Sequence, residues 1–147
     1  MKYVVLVMFV LVLSIPGFAQ QNEQPKVDMP DNVMKEVVSR VLTWYFKPRT
    51  KSKKIYLSSD LIKQGWLPEI KNIEFVIETE NTDQLHYFFG PIERKGNNFD
   101  INFGRFTGCR ENCCYTTGDT WRFRVIGERV NLFRAASGWG GSGCGWA

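Results

Sequence analysis

The chain has 147 residues and a formal net charge of +4, from 19 Lys and Arg against 15 Asp and Glu. An excess of this size is too small to indicate a nucleic-acid-binding surface, so we expect no nucleic-acid partner. A chain of this length buries a substantial core, and its four cysteines would reinforce that core rather than replace it.

The first 19 residues have the pattern of a secretory signal peptide. Lys2 supplies a positive charge, the run from Tyr3 to Leu13 is apolar throughout, and small residues stand at Gly17 and Ala19. This pattern predicts that residues 1–19 are removed and that the protein is secreted or periplasmic. The apolar run is too short to span a bilayer of ~30 Å, so we expect no stable membrane insertion after cleavage. An uncleaved anchor is the alternative.

Residues 20–30 are polar, contain two prolines and show no apolar period, which predicts a flexible leader. Residues 31–147 are expected to form a single α+β domain. From Asp31 to Lys47 apolar residues recur at helical spacing, and Pro48 follows. We therefore predict an amphipathic helix at the N-terminal end of the domain, capped by Asp28 or Asp31.

After the helix, most segments alternate between apolar and polar residues, which is the pattern of strands. The predicted strands cover 54–57, 73–78, 85–89 and 99–103. A bulge or edge is expected at Gly90-Pro91, a hairpin turn at 95–98, and a short helical turn over 61–64.

The last hairpin is predicted in most detail. Gly127-Glu128 fits a two-residue turn, which sets Val125 opposite Val130 and Phe123 opposite Leu132. The same alternation predicts which other side chains face the core and which face outward. Trp121 joins the core face, and the outward residues are Arg122, Arg124, Arg129, Asn131 and Phe133.

The four cysteines are Cys109, Cys113, Cys114 and Cys144. Adjacent cysteines in an extended chain point to opposite faces, so Cys113 and Cys114 should have different partners. Two pairings stay open: 109–113 with 114–144, and 109–114 with 113–144. Either would tether the glycine-rich tail, residues 137–147, and lay Trp139 and Trp146 on the body of the protein. Zinc is the alternative, but the spacing is poor for it, and we expect no metal and no cofactor.

The expected fold is therefore α+β, with one N-terminal amphipathic helix packed on a meander of about five or six antiparallel strands and two disulfides. Arginines beside exposed aromatic residues are typical of binding surfaces. Such residues cluster in the cysteine loop, the last hairpin and the tail. The candidate binding residues are Arg110, Tyr115, Arg122, Arg124, Phe133 and Trp139.

The sequence favours a secreted, non-catalytic binding domain, such as an inhibitor or interaction module, whose partner is an extracellular protein or glycan. A glycan-binding module is one alternative. The other is a small secreted hydrolase-like enzyme with a pocket between helix and sheet. Its acid or base would be His86, the single histidine of the chain.

Overall fold

The computed structural model describes residues 27–58, 61–78, 85–110 and 113–144. In this part of the chain, one α-helix packs on a six-stranded, mostly antiparallel sheet, which confirms the α+β class. The elements are α1 Asp31–Tyr45, β1 Lys53–Ser58, a short 3-10 helix Gln64–Trp66, β2 Ile73–Glu78, β3 His86–Lys95, β4 Asn98–Arg110, β5 Cys113–Ile126 and β6 Arg129–Cys144.

Helix α1 buries its apolar stripe against the sheet. It precedes every strand, but it begins at Asp31 and so is not at the N-terminus of the chain. It starts after Pro30 with no side-chain cap, so neither predicted aspartate caps it, and it ends at Tyr45 rather than Lys47. The buried side chains of the helix are Val33, Met34, Val37, Val38, Val41 and Leu42.

The sheet has the order β2-β1-β3-β4-β5-β6. Strands β3 to β6 form the predicted antiparallel meander, but β1 runs parallel to both β2 and β3. The expectation of an all-antiparallel sheet was therefore wrong at this end, because alternation reports which face a residue occupies and not which strand lies beside it. The ladder between β1 and β3 is short and pairs Leu57 with Tyr87 and Ser58 with Phe88.

Both predicted hairpins are present, and the register predicted for the last one is confirmed. Val125 pairs with Val130 and Phe123 with Leu132 around the turn at Gly127-Glu128. The strand register also shifts between Phe89 and Ile92, where a bulge was expected at Gly90-Pro91. The short helical turn lies at Gln64–Trp66 rather than at 61–64, and it buries Trp66 in the core.

The glycine-rich tail forms part of β6, which pairs with β5 along its whole length. The prediction relied on a disulfide alone to order the tail, whereas the structure also pairs the tail with β5. Two register shifts, between Gly118 and Asp119 and between Thr120 and Trp121 on β5, mark bulges in β6. One of them contains Gly138, whose φ of 73° suits a residue without Cβ.

The described disulfide joins Cys109 to Cys114, which face each other across β4 and β5. It selects one of the two predicted pairings, but it is one bridge where two were expected. Cys113 is also disulfide-bonded, and the strand register sets it opposite Cys144. The predicted signal peptide, most of the predicted leader, and Trp146 lie outside the described residues. Within those residues, none of the helices is long and apolar enough to cross a bilayer.

Candidate functional site

The two faces of the sheet differ in what covers them. Phe103 and Phe123 belong to the core that α1 covers, so we call their side the helix-side face. Strand alternation places the neighbouring residues of each strand on the other side, the outer face. Among the described elements, neither a helix nor a strand lies over the outer face. In β3 to β6 its residues include His86, Phe88, Glu93, Lys95, Asp100, Asn102, Gly104, Phe106, Thr116, Gly118, Thr120, Arg122, Arg124, Arg129, Phe133 and Trp139.

Trp139 lies over two glycines on the outer face. Gly104, Gly118 and Trp139 stand side by side on β4, β5 and β6. A Cβ added at Gly118 would lie 2.5 Å from Cζ2 of Trp139, and one at Gly104 would lie 2.8 Å from its Cη2. The indole therefore extends from β6 across β5 as far as β4, and the two glycines leave room for it because neither has a side chain.

Other aromatic rings adjoin this indole. Phe88 approaches Gly104 from β3, and the centroid of its ring is 6.3 Å from that of Trp139. His86 is stacked on Phe106 with centroids 4.9 Å apart, and it is only 7% exposed. These four residues, Trp139, Phe88, Phe106 and His86, are called the aromatic platform below.

Polar pairs continue the outer face beyond the aromatic platform. The Thr120 hydroxyl donates to Oδ1 of Asn102 at 2.7 Å. The second pair lies two residues further along β4 and β5. There, Nε and Nη2 of Arg122 donate to the two carboxylate oxygens of buried Asp100, at 2.7 and 2.8 Å. This hydrogen bonding and the charge of Asp100 raise the pKa of Arg122 above its ordinary value. Its guanidinium is therefore held in place as a permanent cation rather than left as a mobile one.

The structure brings four of the six predicted binding residues to one face. Arg122, Arg124, Phe133 and Trp139 share the outer face, and Phe133 is 54% exposed. Arg110 and Tyr115 are exposed at the far end of the sheet, but alternation puts both on the helix-side face. The predicted surface is thus divided between the two faces.

The helix-side face has a site that sequence reasoning missed. A cavity of about 230 Å³ opens near the end of α1 and is lined by Tyr45, Tyr87, Phe103, Arg105 and Asp119, among others. Buried Asp119 accepts hydrogen bonds from the Tyr45 hydroxyl and from the backbone N–H of Gly138.

The environment of Tyr45 determines the protonation state of its phenol. Burial, and then the hydrogen bond and charge of Asp119, raise the pKa of Tyr45 well above its ordinary value. The phenol therefore stays protonated at neutral pH, and Asp119 acts as its acceptor. In the sequence, Tyr45 belonged to the apolar stripe of the helix and Asp119 to a scattered set of acids, so nothing indicated their approach.

The structure does not bring His86 to this cavity. Its neighbour Tyr87 faces the helix and contacts Phe46, whereas His86 lies on the outer face. Among the described residues, there is no group of three His, Cys, Asp or Glu side chains that is able to hold a metal ion.

The chain was compared with family models, curated proteins and solved structures, and it matches none of them.

Proposed function

We propose that this protein is a secreted, non-catalytic binding domain that holds an extracellular or periplasmic macromolecule on the outer face of its sheet. The observation that carries this proposal is the position of Trp139 over Gly104 and Gly118. It leaves part of the indole exposed, on the same face as the more exposed Phe133 and Arg124. Tryptophan, other aromatic residues and arginine are the residues most enriched where proteins bind macromolecules.

The alternative, a small hydrolase, has one observation in its favour, which is the cavity between the end of α1 and the sheet. Catalysis there would need a group that exchanges protons near neutral pH. Tyr45 has its pKa raised away from that range, and Asp119 is occupied by Tyr45 and Gly138. His86 lies on the other face of the sheet. These positions favour binding over catalysis.

Secretion and a second bridge belong to the same proposal. Cys113 is disulfide-bonded, Cys109 and Cys114 are bonded to each other, and the chain has four cysteines. We therefore pair Cys113 with Cys144, its neighbour across β5 and β6. Two bridges on opposite faces would join β4, β5 and β6 at one end, and a rigid end loses little entropy when a partner binds. Such bridges are typical of secreted proteins.

The proposal is tested by reversing charge on each face separately. Purified extracellular proteases and cell-wall polysaccharides are presented as separate panels to the immobilised protein. Arg124→Glu places a negative charge on the outer face, and Arg105→Glu makes the same change on the helix-side face. We expect Arg124→Glu and Trp139→Ala to weaken binding about tenfold or more, and Arg105→Glu to leave it unchanged.

Folding of each variant is checked by its urea midpoint. The proposal is overturned if neither panel binds, or if Arg105→Glu is the variant that abolishes binding. The second result would move the binding surface to the cavity on the helix-side face.

A further inference from the structure

We infer that the segment joining α1 to β1 binds an anionic polysaccharide through a cluster of cations. This segment, residues 47–54, includes the first two residues of β1 and is called the basic loop below. Its cations are Lys47, Arg49, Lys51, Lys53 and Lys54. The basic loop lies beside β1 and β2, whereas β5 and β6 lie at the opposite edge of the sheet. This second surface is therefore separate from the proposed binding face and does not depend on it.

The basic loop accounts for the whole positive charge of the protein. Removing its five cations from the 19 Lys and Arg of the chain leaves 14, against 15 Asp and Glu. All eight of its residues are exposed, and none of them is an acid. Its single ion pair within the described residues joins Lys54 to Glu74 at 3.5 Å. A charge that is small for the whole surface is thus concentrated in one segment, where it produces a strong local field.

Hydrogen bonds hold the basic loop against the turn that precedes β2. The backbone N–H of Arg49 donates to the carbonyl oxygen of Lys71 at 3.1 Å, and that of Lys53 donates to Asn72 at 3.0 Å. The side-chain amide of Asn72 donates to the carbonyl oxygens of Arg49 and Thr50, at 2.7 and 3.3 Å. The cations are therefore carried on an ordered backbone, which reduces the entropy lost when a partner binds.

The cations do not serve the helix that precedes them. The dipole of a helix favours cations within its last turn, and the last turn of α1 contains none. Instead, residues 48–53 line an open depression of about 510 Å³, and every charged side chain among them is a cation. A concave surface lined by one sign of charge focuses its field on whatever enters it. The depression therefore suits an anionic group of a larger ligand.

The composition of the basic loop favours one class of polyanion. Short runs rich in Lys and Arg bind nucleic acids or heparin-like polysaccharides. Single-stranded nucleic acid is also held by aromatic side chains that stack on its bases, and membrane-surface segments add apolar side chains that enter the bilayer. The basic loop has no aromatic residue, and proline is its one apolar residue. The predicted signal peptide also directs the protein out of the cytoplasm. An anionic polysaccharide is the class that fits these observations.

The test measures retention of the secreted protein on immobilised heparin and polygalacturonate over a range of salt concentrations, with dextran as the neutral control. Binding to a polyanion releases counterions, so the logarithm of the affinity should fall linearly with the logarithm of the salt concentration. The double variant Arg49→Gln with Lys51→Gln removes two contacts. It should make this slope shallower by about 0.7–0.9 for each contact.

Lys35→Gln with Arg105→Gln is the matched control. It also removes one Lys and one Arg, from exposed positions outside the basic loop, and it should leave the slope unchanged. Urea midpoints check that both double variants are folded. Equal loss of slope in the two double variants would overturn the inference, because net charge would then explain retention.

The inference also fails if neither anionic polysaccharide retains the protein, or if phosphatidylglycerol vesicles or single-stranded DNA bind and the polysaccharides do not. If Trp139→Ala abolishes retention while the variant of the basic loop keeps it, the polysaccharide is bound on the outer face. In that case the inference fails and the proposed function stands.

Discussion

Replacing Gly118 by alanine tests the position of Trp139 over the glycines. The added Cβ would lie 2.5 Å from Cζ2 of Trp139 and 2.7 Å from Cα of Gly104, and it would meet the backbone oxygen of Phe103. Two of these three neighbours are backbone atoms that cannot rotate away. We expect Gly118→Ala to lower the free energy of unfolding by about 1–3 kcal/mol, as over-packing does in other cores.

Gly143→Ala is the matched control, since it lies on the same face of the same sheet with open space around its Cα. Without a clash, alanine restricts the unfolded chain and adds about 0.4–1 kcal/mol of stability. Urea unfolding followed by circular dichroism measures both midpoints, and unchanged m-values show that the denatured state is the same.

Gly104→Ala should behave differently, because its closest neighbours are the rings of Phe88 and Trp139. Side chains can move, so we expect a smaller loss of stability and a displaced indole, seen as a change in tryptophan emission that is absent in Trp139→Phe. If Gly118→Ala proves as stable as Gly143→Ala, neither Trp139 nor the backbone of β4 approaches Gly118 this closely, and the aromatic platform is wrong.

Two further predictions concern the cavity and the cysteines. Tyr45→Phe removes a hydrogen bond to buried Asp119 and should cost about 1–2 kcal/mol at neutral pH. The pKa of Tyr45 is raised in the folded state, so its contribution is complete below the ordinary value of 10.0 and is lost as pH rises above it. The wild type should therefore lose stability above pH 10 more steeply than Tyr45→Phe, and equal slopes would contradict the buried hydrogen bond. The intact mass of the protein should match a chain that begins at Gln20. Alkylation should label no cysteine before reduction and four afterwards. Loop-closure entropy makes the 109–114 bridge worth about 2 kcal/mol and the proposed longer one about 3.5 kcal/mol. A thiol that is labelled before reduction would exclude the second bridge.

Much of the fold follows from short-range pattern. Helix α1 has an apolar period of 3.6 followed by Pro48, and the last hairpin has a period of two around Gly127. Each pattern is local and is supported by a second signal, which is why the helix and the final register agree with the structure to within two residues.

The site was predictable only in part. Alternation placed Arg122, Arg124 and Phe133 on one face, because that depends on a single hairpin. The approach of Tyr45 to Asp119 joins residues 74 positions apart, and no local pattern reports such a contact. Trp139 was expected to lie on the body of the protein, but its position depends on glycines in two other strands.

The short ladder between β1 and β3 has a consequence for the order of folding. Strands β3 to β6 follow one another through hairpins, so their contacts are local in sequence and can form early. The parallel β1–β2 pair needs long connections and, among the described residues, pairs with β3 only through Leu57 and Ser58, so it docks late and depends on the core under α1. Until it docks, the backbone groups of β3 are an open edge that another chain can pair with. The newly synthesised protein is therefore most prone to aggregate before the β1–β2 pair has closed that edge.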